Sequence, residues 1–179
     1  MNDVFVEQIV LHKKSPLEHL KYIGITAGML ALNLAVLFFG VTRIIFPVTF
    51  ALSCWYLYNI LRDSRVEYEY SFTNGELDVD RIRGKRKREH LAGINVRRLD
   101  LLAPMTGEYA RETGSQSIRA LLDASEGEKS PGRWFARYAD ENGIETLLIF
   151  NPNDRLLYAM GRLLGRKFRG DLGALEKAE

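Results

Sequence analysis

The chain has 179 residues, 27% of them charged, and a formal net charge of +2. So even a balance gives no electrostatic case for a nucleic-acid partner. The single cysteine, Cys54, excludes an intrachain disulfide and any cysteine-based metal motif.

Residues 1–19 read as an N-terminal tail. Val4, Phe5, Ile9, Val10 and Leu11 fit one face of a short interfacial helix, with a partly ordered terminus as the alternative. Residues 20–61 contain two apolar runs, Tyr22–Phe39 and Ile44–Leu61, joined by Gly40-Val41-Thr42-Arg43. Neither contains Asp, Glu, Lys or Arg. At about 1.5 Å per helical residue each run reaches about 27 Å, near the hydrocarbon thickness of a bilayer. The segment is therefore predicted to be a transmembrane helical hairpin. A signal peptide fits poorly, because a second run follows the first at once and the connector is no cleavage site.

Gly24, Gly28, Ala31 and Ala35 recur at helical spacing and are expected to face the second run near Ala51 and Ser53; a homo-oligomer is the rival use of this stripe. Asn33 needs a partner away from lipid and is expected to bond across the hairpin. No Asp, Glu, Lys, Arg or His lies within the runs, which argues against a transport path. Tyr22 pairs in depth with Trp55, Tyr56 and Tyr58, as an aromatic belt does. Lys13, Lys14, Lys21, Arg62 and Arg65 flank the outer ends, whereas the connector carries only Arg43. This asymmetry predicts a multi-pass protein of the cell membrane with both termini cytoplasmic.

A domain follows over residues 65–169. Val66, Tyr68, Tyr70 and Phe72 alternate with polar residues, as do Leu77 and Val79, and Asn74-Gly75 lies between them. That is the signal of a tight β-hairpin. Its register sets Phe72 opposite Leu77, Tyr70 opposite Val79 and Glu69 opposite Asp80. A third strand returns after a loop Gly84–Arg86, with Leu91 opposite Val79. Ile94, Val96, Leu99 and Leu101 suggest a fourth strand, bulged near Arg97-Arg98. Ile118–Ala124, Arg133–Ala139 and Ile144–Phe150 complete seven strands, the last two flanking the turn Asp140-Glu141-Asn142-Gly143. A helix closes the domain, with Asn151 as cap, Pro152 in its first position and Leu156, Met160, Leu163 and Leu164 as its apolar stripe. Gly170 is expected to end it, leaving residues 170–179 as a tail with an extra turn at Ala174–Ala178.

Seven strands and one amphipathic terminal helix resemble the pleckstrin-homology-like (PH-like) fold, in which a helix plugs one end of a bent antiparallel barrel. Tyr68-Glu69-Tyr70-Ser71-Phe72-Thr73-Asn74-Gly75-Glu76-Leu77 resembles the first hairpin of bacterial PH-like membrane proteins. Phe150-Asn151-Pro152-Asn153 resembles the junction into their last helix. A two-span hairpin before such a domain is similar to small bacterial proteins of this layout. The resemblance implies an α+β chain, in which a two-helix transmembrane hairpin precedes a PH-like antiparallel barrel or sandwich of about seven strands with a C-terminal helix. It carries no catalytic residues. One departure matters: phosphoinositide-binding PH domains hold basic residues around the first hairpin loop, and here Thr73-Asn74-Gly75 has none.

The conspicuous candidate site is Arg81, Arg83, Lys85, Arg86, Lys87 and Arg88. Near an anionic membrane each basic residue contributes about 1 kcal/mol of attraction, so the cluster is read as an anionic-surface binding element. A solvated hairpin tip is the alternative, and no RNA-binding motif accompanies it. The registers also set Glu69, Asp80 and His90 in one row. Two carboxylates and an imidazole are metal-ligand chemistry, but the expectation is a surface row neutralised by Lys or Arg, with no metal and no cofactor. His12 and His19 are placed at the membrane interface. No nucleophile elbow, P-loop, dinucleotide glycine motif or His-Glu-x-x-His occurs, so no enzymatic activity is expected. The expected function is a membrane-anchored cytoplasmic binding or adaptor module that contacts a protein partner or the anionic headgroups of the bilayer. The alternative is a structural subunit of a larger membrane complex, associating through its transmembrane helices.

Overall fold

A computed structural model describes residues 4–38, 44–107, 109–114, 118–140 and 142–177. The chain forms two units, one from Lys13–Arg65 and one from the residues before and after it.

The second of these units begins with an unexpected strand. Phe5–Leu11, β1, runs antiparallel to Val66–Thr73, β2, with Val6 opposite Phe72, Gln8 opposite Tyr70 and Val10 opposite Tyr68. The tail is thus a sheet edge rather than an interfacial helix or a loose terminus. The reason is burial: Val6 and Val10 alternate onto the core side and are 4% exposed, while the backbone of β1 satisfies the outer edge of β2.

β2 and Glu76–Arg83, β3, form the predicted hairpin in the predicted register. Asn74 and Gly75 both take positive φ, 51° and 105°, as that turn requires. Lys87–Asn95, β4, follows the loop Gly84–Arg86. Its register is the expected one where Asp80 pairs with His90 and departs from it next, where Val79 pairs with Ala92 and not with Leu91. Leu91 is therefore the extra residue of a bulge, and the bulge sits here rather than at Arg97-Arg98. The anticipated fourth strand is interrupted: Ile94 belongs to β4, Val96–Arg98 is a 3-10 turn, and Leu101–Pro104 is β5. The Asn95 side chain accepts from Arg97 N at 3.1 Å and caps that turn.

Ala120–Asp123, Trp134–Ala139 and Glu145–Phe150 are β6, β7 and β8. Among the described residues eight strands make two four-stranded sheets, ordered β1-β2-β3-β4 and β5-β7-β8-β6, where about seven strands in a barrel or sandwich were expected. β7 and β8 pair antiparallel across the predicted turn, and β6 lies parallel to β8.

Asp154–Leu164, α3, contributes Leu156, Leu157, Met160 and Leu164 to the core. Leu157, not Leu163, completes the buried stripe. Its cap is Asn153, whose side chain accepts from Leu156 N at 2.8 Å, so Asn151 and Pro152 precede the helix. It ends at Gly165, with φ 54°, rather than at Gly170. Leu172–Glu176, α4, follows with Asp171 as its cap. It packs so closely on α3 that a Cβ on Gly161 would lie 2.7 Å from Leu172 Cδ2.

In the other unit, Pro16–Phe38 is α1 and Phe46–Asp63 is α2. Among the described residues α1 is the one helix long and apolar enough to cross a membrane. α2 spans 18 residues and ends in Arg62-Asp63. Ser15 and Glu18 form a capping box, in which Ser15 N donates to Glu18 Oε2 at 2.7 Å and Glu18 N to Ser15 Oγ at 3.3 Å. Asn33 bonds between the helices, donating to Ser53 Oγ at 2.9 Å and accepting from Thr49 Oγ1 at 3.4 Å. The small-residue stripe does not face α2: Gly24 and Gly28 have nothing within 4 Å of an added Cβ. At the outer end, Lys14 donates to Ser64 Oγ at 2.5 Å and lies 4.5 Å from the Tyr22 ring centroid. The connector Gly40–Arg43 lies outside the described residues.

Candidate functional site

The β3–β4 hairpin carries the basic cluster, and the sheet register decides which charges remain available. Arg81 donates to Glu89 Oε2 at 2.7 Å, with Arg83 3.9 Å from the same atom. The hydrogen bond from Arg81 holds the Glu89 carboxyl below the usual carboxylate range, assisted by the charges of Arg81 and Arg83. Arg88 donates to Glu69 Oε2 at 2.5 Å and lies 3.6 Å from Asp80 Oδ2. Asp80 Oδ1 in turn lies 2.8 Å from His90 Nδ1. Lys85, Arg86 and Lys87 form the exposed tip, where Lys85 takes φ 57°.

Glu69, Asp80 and His90 are neighbours, as the register predicted. The guanidinium of Arg88 bridges the two carboxylates, with Glu69 itself nearly buried. Among the described residues no group of three His, Cys, Asp or Glu side chains is placed to hold a metal ion. The run of basic residues was legible in the sequence. That carboxylates would offset part of it was expected too, but the individual pairs Arg81–Glu89, Arg88–Glu69 and Arg88–Asp80 depend on partners across the hairpin or on another strand.

A second feature had no sequence signal. A groove of about 880 Å³ lies between β4 and β6, lined by residues 90–95, residues 120–122 and the β7–β8 end. Carboxylates of Glu76, Asp78 and Asp140 border it together with Arg98, and Leu121 is 64% exposed on its β6 wall.

At another place in the domain the sheets are joined by buried polar groups. Tyr70 donates to Ala124 O at 2.5 Å and accepts from Asn151 N at 3.3 Å. Burial pushes its phenol well above the ordinary tyrosine range. Asn151 Oδ1 accepts from Glu126 N at 2.8 Å and Ser130 Oγ at 3.2 Å, while Nδ2 donates to Pro131 O at 2.9 Å. Gln8 of β1 donates to Asn151 O and accepts from Asn153 N, both at 2.8 Å. His12 is part of this domain, with Nδ1 3.0 Å from Ser125 O and its ring edge-on to Tyr68. His19 is exposed on the first turn of α1.

The family model described as Bacterial PH-like domain (DUF6106) matches residues 2–170. No curated protein and no solved structure matches the chain.

Proposed function

Since the chain belongs to the bacterial PH-like domain family, over a match that runs from β1 through α1 and α2 to α3, we propose that it is a membrane-anchored binding module. The helices hold it in the cell membrane, and the domain offers a docking surface to a protein partner on the cytoplasmic side. The proposal gives it no catalytic role and no cofactor.

The observation that carries this reading is the pairing of β1 with β2. Leu11 lies opposite Glu67, and His12 N donates to Val66 O at 3.0 Å. The chain therefore leaves the sheet and returns to it at one point, with α1 and α2 between. If α1 crosses a bilayer, the return must cross it too, and α2 is the helix available. The apolar run Ile44–Leu61, most of it in α2, reaches about 27 Å at helical rise, near the hydrocarbon thickness, although α2 alone falls short of the length and apolarity of α1. Lys14, Lys21, Arg62 and Arg65 at the open end support a cytoplasmic placement. The exposed tip Lys85, Arg86 and Lys87 supports an added attraction to anionic headgroups. Arg81, Arg83 and Arg88 contribute less to it, because Glu89, Glu69 and Asp80 already face them.

The test is topology in cells. In a Cys54→Ser background, single cysteines replace Lys13, Thr42 and Arg65. The expected result is retention in alkali-washed membranes, labelling of the residue-42 thiol by an impermeant maleimide in intact spheroplasts, and labelling of the other two only after permeabilisation. Release by alkali, or residues 13 and 65 on opposite sides, overturns the anchor. The alternative, a subunit of a larger membrane complex, is favoured by the open faces of Gly24 and Gly28. It predicts that Gly28→Leu dissolves an oligomer seen by crosslinking in membranes while the monomer stays inserted.

A further inference from the structure

β4 and β6 are the terminal strands of their two sheets, and both border one groove. Consecutive residues of each strand line it, 90–95 on one side and 120–122 on the other. Residues pointing to opposite faces of a strand can both border a space only if the strand's edge lies between them. The groove is thus flanked by two strand edges, each with a row of backbone N–H and C=O groups that no neighbouring strand takes up among the described residues. Proteins usually blunt such edges with charge or proline. Here Leu91-Ala92-Gly93-Ile94-Asn95 has neither, and Ala120-Leu121-Leu122 has neither.

We propose that the groove between β4 and β6 binds an extended, basic peptide segment of a partner protein, which adds a strand beside one or both edges. An extended polypeptide is the occupant whose own backbone offers two rows of donors and acceptors. The volume of about 880 Å³ lies within the range of ligand-binding clefts, and five residues along β4 give a strand contact of roughly 17 Å. The charge follows from the rim. Glu76 and Asp78 are exposed and make no ion pair among the described residues, Asp140 adds a third carboxylate that also accepts from Asn142 N and Ile144 N, and among the described residues lining the groove Arg98 is the one guanidinium. His90 is turned to Asp80. Exposed Leu121 supplies apolar contact for an alternate side chain of the peptide. A basic segment is favoured over an acidic one in specificity and encounter rate. The proposal deepens the binding-module reading and rests on it for the existence of a protein partner.

The test uses the full chain in nanodiscs of phosphatidylcholine, so that the basic hairpin meets no anionic lipid. The probe is a positional-scanning set of fluorescein-labelled heptapeptides with Lys at alternate positions. Anisotropy is expected to find saturable binders, weakened at least tenfold by N-methylation of alternate peptide amides. The exposed-residue variant Glu76→Gln/Asp78→Asn is expected to weaken them at least fivefold, and Leu121→Lys more. Hydrogen exchange at 91–95 and 120–122 is expected to slow at least tenfold in the complex. No saturable member, or binding indifferent to N-methylation, overturns the proposal. So does protection of these amides that appears without peptide and disappears on dilution, since the occupant is then a second copy of the chain. Alkaline extraction separates the two readings: release from membranes defeats the anchor and leaves the groove result standing, whereas absent peptide binding removes this docking site and leaves the anchor standing.

Discussion

Asn151 shows how one side chain can organise a loop that has no regular structure of its own. Its amide satisfies Glu126 N, Ser130 Oγ and Pro131 O, each a bond worth about 1 kcal/mol. Asn151→Ala is therefore expected to cost about 2–4 kcal/mol in urea unfolding, and Asn151→Asp also destabilises, because a carboxylate oxygen then faces the Pro131 carbonyl in place of the donor. Tyr70 adds a pH dependence. The folded phenol holds its proton above the pH where the unfolded one, near its ordinary value of about 10, releases it. Stability is thus complete below about pH 10 and falls above it, by up to about 1.4 kcal/mol per pH unit for this group. Tyr70→Phe should flatten that alkaline decline in thermal melts from pH 9 to 11. Tyr138, also raised by burial and then by Asp140, leaves a residual slope. Arg88→Ala strips Glu69 of the guanidinium it bonds and is expected to cost about 1–3 kcal/mol, against about 0.5 kcal/mol or less for Arg86→Ala at the exposed tip. A double-mutant cycle with Glu69→Gln isolates the pair. None of these partnerships could be read from composition: Arg88 meets Glu69 because β3 lies between their strands, a fact of register.

At the scale of elements, the chain was most legible where local chemistry and tertiary demand agree. Alternation in β2 and β3 and the Asn74-Gly75 turn specify the same hairpin, and the result follows residue for residue. β1 was illegible for a physical reason. Its outward residues Phe5, Ile9 and Leu11 are as apolar as its inward Val6 and Val10, so no alternation survives. Its partner also lies beyond an intervening segment of more than fifty residues. The bulge at Leu91 and the groove beside it were equally hidden, since both arise from strand edges and not from side-chain pattern. The assignment predicts an asymmetry. Val10→Asp buries an unpaired charge and should cost about 3 kcal/mol or more, while Ile9→Asp on the exposed face stays within about 0.5–1 kcal/mol. Asn153→Ala should cost about 1 kcal/mol through the lost α3 cap, whereas Asn151→Ala, outside the helix, acts through the loop.

For the molecule as a whole, the order of the chain differs from the order of the fold. A fragment starting at Ser64 lacks β1 and leaves the core side of β2 uncovered where Val6 and Val10 sit. It should unfold at lower urea than the domain with β1, and a peptide of residues 4–12 added in trans should raise its melting temperature with concentration. Conversely, replacing residues 13–65 by Asn-Gly joins β1 to β2 through a two-residue turn. The expected product needs no detergent and unfolds in one cooperative transition followed by circular dichroism. The same arrangement has a consequence during synthesis. The ribosome makes β1 first and must then deliver both helices before the strand's partner exists. A molecule in which only the first helix crossed would leave β1 across the bilayer from β2, and its sheet could never close. If the helices span a membrane as proposed, completion of the domain would report that both were inserted, and incompletely inserted copies would expose an unfinished core to the cell's proteases.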